Sequence, residues 1–206
     1  MNPATKRRGF LRRCGAALAA MAVLPRSSEG STPAPDESWL QGLNGKHRQI
    51  FDVAVSKEGR PLARLANFLD VYGEAYALKD ADINAIFGVH GNGLPIVLND
   101  AMWAKYQLGK RNSEVDAATD AVAVRNPWAK GGEASVARLQ QRGVRFIACM
   151  RSIHRLSGEL VGAAGNAESV RRELLANLLP GVTPVPAMIV AVNRAQEAGL
   201  SYAYIG

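Results

Sequence analysis

Cysteine is scarce in this chain: among 206 residues there are only two, Cys14 and Cys149. If Cys14 is removed with an N-terminal leader, Cys149 is the single remaining thiol and no disulfide can form within the chain. A lone thiol in an exported protein is buried, paired with a second chain, or used in chemistry. The sequence leaves all three alternatives open.

Sequence motifs of several common enzyme classes are also absent. Neither the Gly-x-Gly-x-x-Gly pattern of dinucleotide-binding proteins nor the Gly-Lys-Ser/Thr ending of a P-loop occurs, so nucleotide binding has no support. No Gly-x-Ser-x-Gly elbow is present, which weakens a hydrolase interpretation. Because Cys149, His90 and His154 lack the spacing of metal-ligand pairs, and no haem, iron–sulfur or molybdenum ligand set follows residue 30, we expect no metal and no cofactor.

The N-terminal apolar run, Cys14–Leu24, is too short at about 11 residues to cross a bilayer as a helix. It follows the cationic stretch MNPATKRRGFLRR and precedes Pro25 and a small-x-small cleavage site, Ser28-Glu29-Gly30, which is typical of a signal peptide. Thr5–Arg12 resembles the twin-arginine export motif. This resemblance implies that the twin-arginine translocase exports the folded protein to the bacterial periplasm, with a signal peptide at residues 1–30 and no stable membrane anchor; the alternative is an uncleaved basic tail.

Positive charge is concentrated in that leader. The whole chain has a net charge of +7, but residues 1–30 contain six of its 25 Lys and Arg residues and one of its 18 Asp and Glu residues. The remainder is nearly neutral, with 19 basic and 17 acidic residues and no one-sided cationic stripe. We therefore expect no nucleic acid as a partner.

Residues 31–45, rich in Ser, Pro and Gly, are predicted to be a linker, and residues 46–206 a single domain. Strands are predicted at Lys46–Val55, 82–90, 144–148, 182–185 and 201–205, and helices from Pro61, at 95–108, 133–141 and 187–198. Between them, 109–132 is predicted to be a long loop in which the carboxylates, including Glu114, are solvated. Alternation of strands and helices predicts an α/β fold with a three-layer, open, mainly parallel sheet.

Two of the predicted strands end in polar residues. In open parallel sheets, ligands bind beyond the carboxyl ends of the strands, where loop amides and helix N-termini converge. His90-Gly91-Asn92-Gly93 follows the second strand, and Cys149-Met150-Arg151-Ser152 follows the third. We predict that Cys149, His90 and Arg151 are catalytic and that Gly91, Asn92, Gly93 and His154 bind a ligand.

The predicted chemistry centres on the sulfur of Cys149. A helix N-terminus, together with Arg151 or His154, would stabilise an anionic sulfur and make it reactive. The alternative is an inert cysteine packed as a small apolar residue. His90 is either a proton donor or anion contact beside Cys149 or a cap that bonds a loop carbonyl, and His154 is either part of the site or a surface residue.

The C-terminal half resembles the DsrE/DsrF-like family. The matching stretches are Gly143–Cys149 (GVRFIAC), Leu178–Val182 (LLPGV) with Val185-Pro186, and Ala191–Ile205 (AVNRAQEAGLSYAYI). The resemblance implies a flavodoxin-like sheet, assembly into homo-oligomers and a role in sulfur relay through a cysteine persulfide. The sulfur-carrying members have their active cysteine in a loop that corresponds to residues 92–130, where this chain has none, so only Cys149 can take that role.

We therefore expect a periplasmic sulfur-handling protein that carries sulfur on Cys149 and exchanges it with a donor or acceptor protein. The alternative from another functional class is a non-catalytic, oligomeric module that binds a small anion or a protein. In a third alternative, Cys149 forms a disulfide between two chains.

Overall fold

Strands rich in β-branched and aromatic residues form the centre of the fold. In the computed structural model, which describes residues 34–162 and 165–206, the strands are β1 (His47–Val55), β2 (Ile83–Asn92), β3 (Val115–Asp116), β4 (Ala121–Val122), β5 (Arg145–Cys149), β6 (Val182–Val185) and β7 (Ser201–Tyr204). The pair β3–β4 is a small antiparallel hairpin. The other five strands form one parallel sheet in the order β6-β5-β2-β1-β7.

Helices cover both faces of this sheet. They are α1 (Arg60–Tyr76), α2 (Asp100–Lys105), α3 (Leu108–Asn112), α4 (Val136–Gln141), α5 (Met150–Leu160), α6 (Ala167–Ala176) and α7 (Met188–Glu197). Apolar residues of α1 to α6 pack in the larger core cluster on one face. Helix α7 packs in a second cluster on the opposite face, which we call the α7 face. The predicted three-layer, open, parallel α/β fold, flavodoxin-like in its layering, is therefore confirmed.

Side chains alternate between these two cores along each strand, as the pleat requires. Phe51, Val53 and Phe87 belong to the larger cluster, whereas Ile50 and Ile86 belong to the cluster on the α7 face. Such fully buried side chains each stabilise the fold by about 1.5–3 kcal/mol relative to exposure. Both faces of the sheet are thus apolar, and polar groups gather at the carboxyl ends of the strands.

The strand order creates a crevice at one of these carboxyl ends. The chain leaves β5 for α5 on one face, but it leaves β6 for α7 on the other face. Where adjacent strands send their connections to opposite faces, the connections separate and leave room for a ligand. We call the gap between the ends of β5 and β6 the switch point.

The segment predicted as one helix at 95–108 differs from the structure. It consists of a 3₁₀ turn at Leu94–Val97, then α2, and α3 follows after a break at Gln107, whose φ is +49°. Asn99 is the N-cap of α2, because its side chain accepts a hydrogen bond from the Met102 amide at 3.2 Å. The predicted loop at 109–132 likewise contains most of α3 and the β3–β4 hairpin.

Glu114, in that loop, was expected to be solvated, but it is buried. Its side chain accepts a hydrogen bond from the hydroxyl of Ser56, and both residues are only 4% exposed. Gly109 allows this packing, because a Cβ atom on it would lie 2.0 Å from the carbonyl oxygen of Ala123. The expectation was wrong because long-range packing, which the local sequence does not encode, closes the loop over the end of β1.

Most of the region predicted as a linker packs onto the sheet. Residues 35–44, which we call the arm, contain a 3₁₀ turn at Ser38–Leu40, and Trp39 is buried in the cluster on the α7 face. The side chain of Arg194 on α7 contacts both carboxylate oxygens of Glu37, at 2.8 and 3.0 Å. Pro35–Gly206 therefore forms one compact unit.

The predicted signal peptide at residues 1–30 lies outside the described residues. Within the described ranges, none of the helices combines the length and the apolar character that crossing a membrane requires.

Candidate functional site

Cys149 is the last residue of β5 and precedes the first turn of α5. It is 4% exposed and belongs to the apolar cluster on the α7 face, together with Ile147, Val185 and Met188. Its one polar contact within the described residues is the backbone amide of Met188, which donates to Sγ at 3.4 Å. Because Met188 is the first residue of α7, the sulfur lies at the positive end of that helix dipole.

The burial of Cys149 bears on the alternatives for this thiol. With so little of it at the surface, it is not presented to a second chain for disulfide formation. A reagent reaches the sulfur only if the surrounding segments open locally.

His90 lies against the carboxylate of Asp52, a residue that was not predicted from the sequence. The Nε2 atom of His90 lies 2.9 Å from Oδ1 of Asp52 on β1, but the contact lacks hydrogen-bond geometry, and neither of these two buried atoms has a hydrogen-bond partner in the described part of the chain. The second carboxylate oxygen of Asp52 accepts a hydrogen bond from the hydroxyl of Tyr202 on β7 at 3.0 Å. A polar chain therefore runs from Tyr202 through Asp52 to His90 across three neighbouring strands.

These contacts act on the ionisation of Asp52. Partial burial raises the pKa of its carboxyl group, but the contact with His90, the charge of His90 and the hydroxyl of Tyr202 together lower it by more. The pKa of Asp52 therefore lies below its usual value of 3.8. At neutral pH the carboxylate is ionised and fixes the orientation of the His90 ring.

The strand register relates this polar chain to Cys149. Val89 on β2 pairs with Ala148 on β5, so the next residues along the two strands, His90 and Cys149, follow side by side. Neighbouring strands are about 4.8 Å apart. The contact of His90 with Asp52 and the place of Cys149 in the apolar cluster put both side chains on the α7 face. We call Cys149, His90, Asp52 and Tyr202 the strand-end group.

The glycines after His90 have a structural role in joining β2 to β1. Gly91 has a φ of +54°, and a Cβ atom on it would lie 2.9 Å from the carbonyl oxygen of Ala54. The amide of Gly93 donates to that same oxygen at 2.9 Å, and Gly93 is buried. Asn92 is exposed. The turn thus packs closely against the end of β1.

Arg151 and His154 lie apart from the strand-end group. Both are exposed residues of α5, and both line a cavity of about 650 Å³ at the switch point. Arg171 and Glu168 on α6 also line this cavity, as do Asp36 and three prolines. Cys149 is not among the lining residues, although its neighbour Met150 is.

The structure therefore places the predicted site residues in three positions: Gly91, Asn92 and Gly93 form the turn after β2, and the other four fall into two groups. Cys149 and His90 belong to the strand-end group, whereas Arg151 and His154 belong to the cavity. The sequence analysis missed Asp52 and Tyr202. A charge between Phe51 and Val53, inside the otherwise apolar run 50–55, was the signal that could have identified Asp52.

In residues 34–162 and 165–206, no three His, Cys, Asp or Glu side chains are grouped in a way that could hold a metal ion.

Comparison with known proteins yields only distant structural similarity. No protein-family model matches the chain, and no curated protein matches it. Among solved structures, a protein of unknown function from Methanobacterium thermoautotrophicum aligns with a TM-score of 0.43 and 19% sequence identity, over 77% of this chain and 99% of that one. At this level of similarity, the likeness assigns neither a family nor a function to the chain.

Proposed function

We propose that this chain is a sulfur carrier that holds a sulfane sulfur as a persulfide on Cys149. The observation that carries the proposal is the hydrogen bond from the Met188 amide to Cys149 Sγ, at the start of α7. An amide donor at a helix N-terminus stabilises negative charge on sulfur, both in a thiolate and in the terminal sulfur of a persulfide. The resemblance of Gly143–Cys149 to the DsrE/DsrF-like pattern supports the same role.

The transfer step is a nucleophilic substitution at sulfur. The thiolate of Cys149 attacks the terminal sulfur of a donor persulfide R–S–S⁻, forms the new S–S bond, and displaces R–S⁻. Thiosulfate can serve as the donor in the same way and leaves as sulfite. No electrons are gained or lost overall, so the step needs no separate oxidant.

His90 and Asp52 supply proton management beside the sulfur. The ionised carboxylate of Asp52 lies 2.9 Å from Nε2 of His90, so that the neutral imidazole, with its proton on Nε2, can accept a proton at Nδ1 from the thiol as it ionises. Asp52 is thus a positioning residue in this proposal. Arg151 lies in the separate cavity and takes no part in the step.

The twin-arginine-like leader supports the bacterial periplasm as the place of this activity. The donor and the acceptor of the sulfur would then be periplasmic, and the folded chain would reach them after export.

Intact-mass spectrometry tests the carrier function directly. The full chain with Cys14→Ser, which leaves Cys149 as its only thiol, is incubated with polysulfide or thiosulfate. We expect a species heavier by about 32 Da, the mass of one sulfur atom, which a reductant removes. The matched control is the chain with Cys14→Ser and Cys149→Ser, which should gain nothing. Absence of the heavier species from the Cys149-containing chain contradicts the proposal.

A second candidate is a non-catalytic binding module of the same fold. The 4% exposure of Cys149 among aliphatic neighbours favours it, because apolar surroundings are typical of an inert cysteine. The rate of alkylation by iodoacetamide at pH 7 separates the two functions. A rate above that of an unstructured cysteine peptide supports the carrier, and a rate far below it in the folded chain supports the binding module.

A further inference from the structure

The cavity at the switch point has its own composition and does not include the thiol. Its volume of about 650 Å³ lies within the range of small-molecule sites. It lies where the connections of β5 and β6 separate to opposite faces of the sheet, which is the usual place for a ligand in such folds. Ligand binding in this cavity is therefore independent of sulfur chemistry at Cys149.

Two of the charges in this cavity neutralise each other. Arg171 on α6 makes a two-point contact with Glu168, through Nε at 2.8 Å and Nη2 at 2.6 Å. This contact above all lowers the pKa of Glu168, and the charge of His154 contributes to the shift. Glu168 is thus satisfied by cations of the protein itself.

The other two charges are those of Arg151 and Asp36, and neither has an ionic partner among residues 34–162 and 165–206. In the described part of the chain, Arg151 pairs with no carboxylate, although Arg155 one turn further along α5 pairs with Glu159. Asp36 accepts a hydrogen bond from the backbone amide of Ser38 at 2.8 Å. This contact lowers the pKa of Asp36 and keeps its carboxylate ionised. One unpaired cation and one unpaired anion therefore line the same cavity.

The residues that follow Asp36 in the arm anchor it to the folded domain. Trp39 is buried in the cluster on the α7 face, and Glu37 makes the two-point contact with Arg194 on α7. Asp36 is therefore attached to the folded domain immediately before two anchored residues.

The N-terminus of α5 adds to the attraction for a ligand carboxylate on the cationic side of the cavity. Helix α5 has 11 residues, and its N-cap residue, Cys149, makes no side-chain cap hydrogen bond. Amides in the first turn of such a helix attract an anion, and Arg151 lies in that turn.

The remaining walls of the cavity are apolar. Pro184 and Pro186 flank the end of β6, Pro35 begins the arm, and Met150 begins α5. Proline rings and a thioether offer no strong hydrogen-bond donor, so this part of the cavity favours an apolar body.

We infer that this cavity binds a small zwitterion with an apolar body, of the class of short apolar peptides. Its carboxylate pairs with Arg151 and the first turn of α5, its ammonium group pairs with Asp36, and its side chains lie against the prolines and Met150. A zwitterion can pair with both charges at once, whereas a simple anion can pair only with Arg151 and a simple cation only with Asp36.

Titration of the full chain with the dipeptide leucyl-leucine, followed by amide chemical shifts in NMR, tests the inference. We expect saturable shifts that include the amides of Met150 to His154. N-acetylated leucyl-leucine and leucyl-leucine amide each lack one charge, and each should bind at least about tenfold more weakly, which is the loss expected for one charge-assisted contact.

Two variants assign each charge to its partner. Arg151→Gln should weaken the dipeptide about tenfold and abolish its advantage over the amide, while Asp36→Asn should abolish its advantage over the acetylated form. Arg155→Gln is the matched control on the same helix and should leave binding unchanged.

Failure of leucyl-leucine to bind at about 10 mM would overturn the inference. Equal binding of the acetylated or amidated form to the unmodified chain would overturn it as well. This second result needs no variant, so it stands even if a substitution prevents folding.

Discussion

Asp52 occupies a position where three strands meet at the end of the sheet. It lies on β1, contacts His90 on β2, and accepts the hydroxyl of Tyr202 on β7. The side chain of Asp52 is only 15% exposed, so its charge depends on these two neighbours rather than on water. One carboxylate thus connects the edge strand of the sheet to the histidine beside the thiol.

The lowered pKa of Asp52 makes the stability of the fold pH-dependent. A group with a depressed pKa in the folded state stabilises the fold above its ordinary pKa, and the contribution disappears as the pH falls through the folded-state value. We expect Asp52→Asn to lower the free energy of unfolding by about 1–2 kcal/mol at pH 7. The difference from the wild type should shrink as the pH falls below about 4. Urea denaturation at several pH values measures it.

Glu74→Gln, at an exposed position of α1, is the control for this measurement and should have little effect on stability. A difference between Asp52→Asn and the wild type that stays the same from pH 7 down to pH 3 would show that ionisation of Asp52 does not stabilise the fold.

Among the helices, α3 and α5 contain glycines in opposite situations. Gly109 in α3 lies against the backbone of Ala123, at the point where the loop after α3 folds back over the end of β1. Gly158 in α5 has no atom within 4 Å of the position that a Cβ would occupy. The same residue type is thus required by close packing in α3 but not in α5.

Substitution of these two glycines by alanine should therefore change the free energy of unfolding in opposite directions. Gly109→Ala would place a methyl group 2.0 Å from a carbonyl oxygen that cannot move independently of the backbone, and we expect a loss of about 2–4 kcal/mol. Gly158→Ala should stabilise the fold by up to about 1 kcal/mol, because alanine is the better helix former. Thermal unfolding of both variants, followed by circular dichroism, makes the comparison. Equal melting temperatures would contradict the packing of the loop on α3.

Elements with a strong local pattern could be predicted from the sequence, and elements that depend on distant contacts could not. Runs of apolar, β-branched and aromatic residues located β1 and β2 to within one or two residues. The burial of Glu114 depends on Ser56, 58 residues earlier in the chain. The pairing of His90 with Asp52 likewise depends on the register between β1 and β2, which neither strand encodes alone. Cys149 was found because it ends a strand.

Across the whole molecule, apolar residues remain exposed on the side of α7 and the edge strand β7. Ile189 is 78% exposed and Val190 50%, and Tyr202 and Tyr204 are also largely accessible. Strand β7 has a neighbour on one side only. An exposed apolar helix face beside an edge strand is the kind of surface on which a second copy of the chain can pack.

The homo-oligomer expected from the family resemblance should therefore depend on Ile189. Ile189→Asp would introduce a charge into an apolar contact, and we expect the oligomer to dissociate without loss of the fold, since the side chain is exposed in the single chain. Size-exclusion chromatography with light scattering measures the mass. Tyr76→Asp, 67% exposed on α1, is the control and should keep the wild-type mass. A wild type that is monomeric, or an unchanged mass for Ile189→Asp, would contradict this expectation.

Trp39 limits how far the chain can be shortened from its N-terminus without disturbing the fold. Its indole ring belongs to the same buried cluster as Cys149, and Glu37 attaches the residues before it to α7. A peptidase that cut after Trp39 would remove a piece of the hydrophobic interior and admit water toward the sulfur. Any cleavage of a leader that leaves this packing intact therefore has to fall upstream of Glu37.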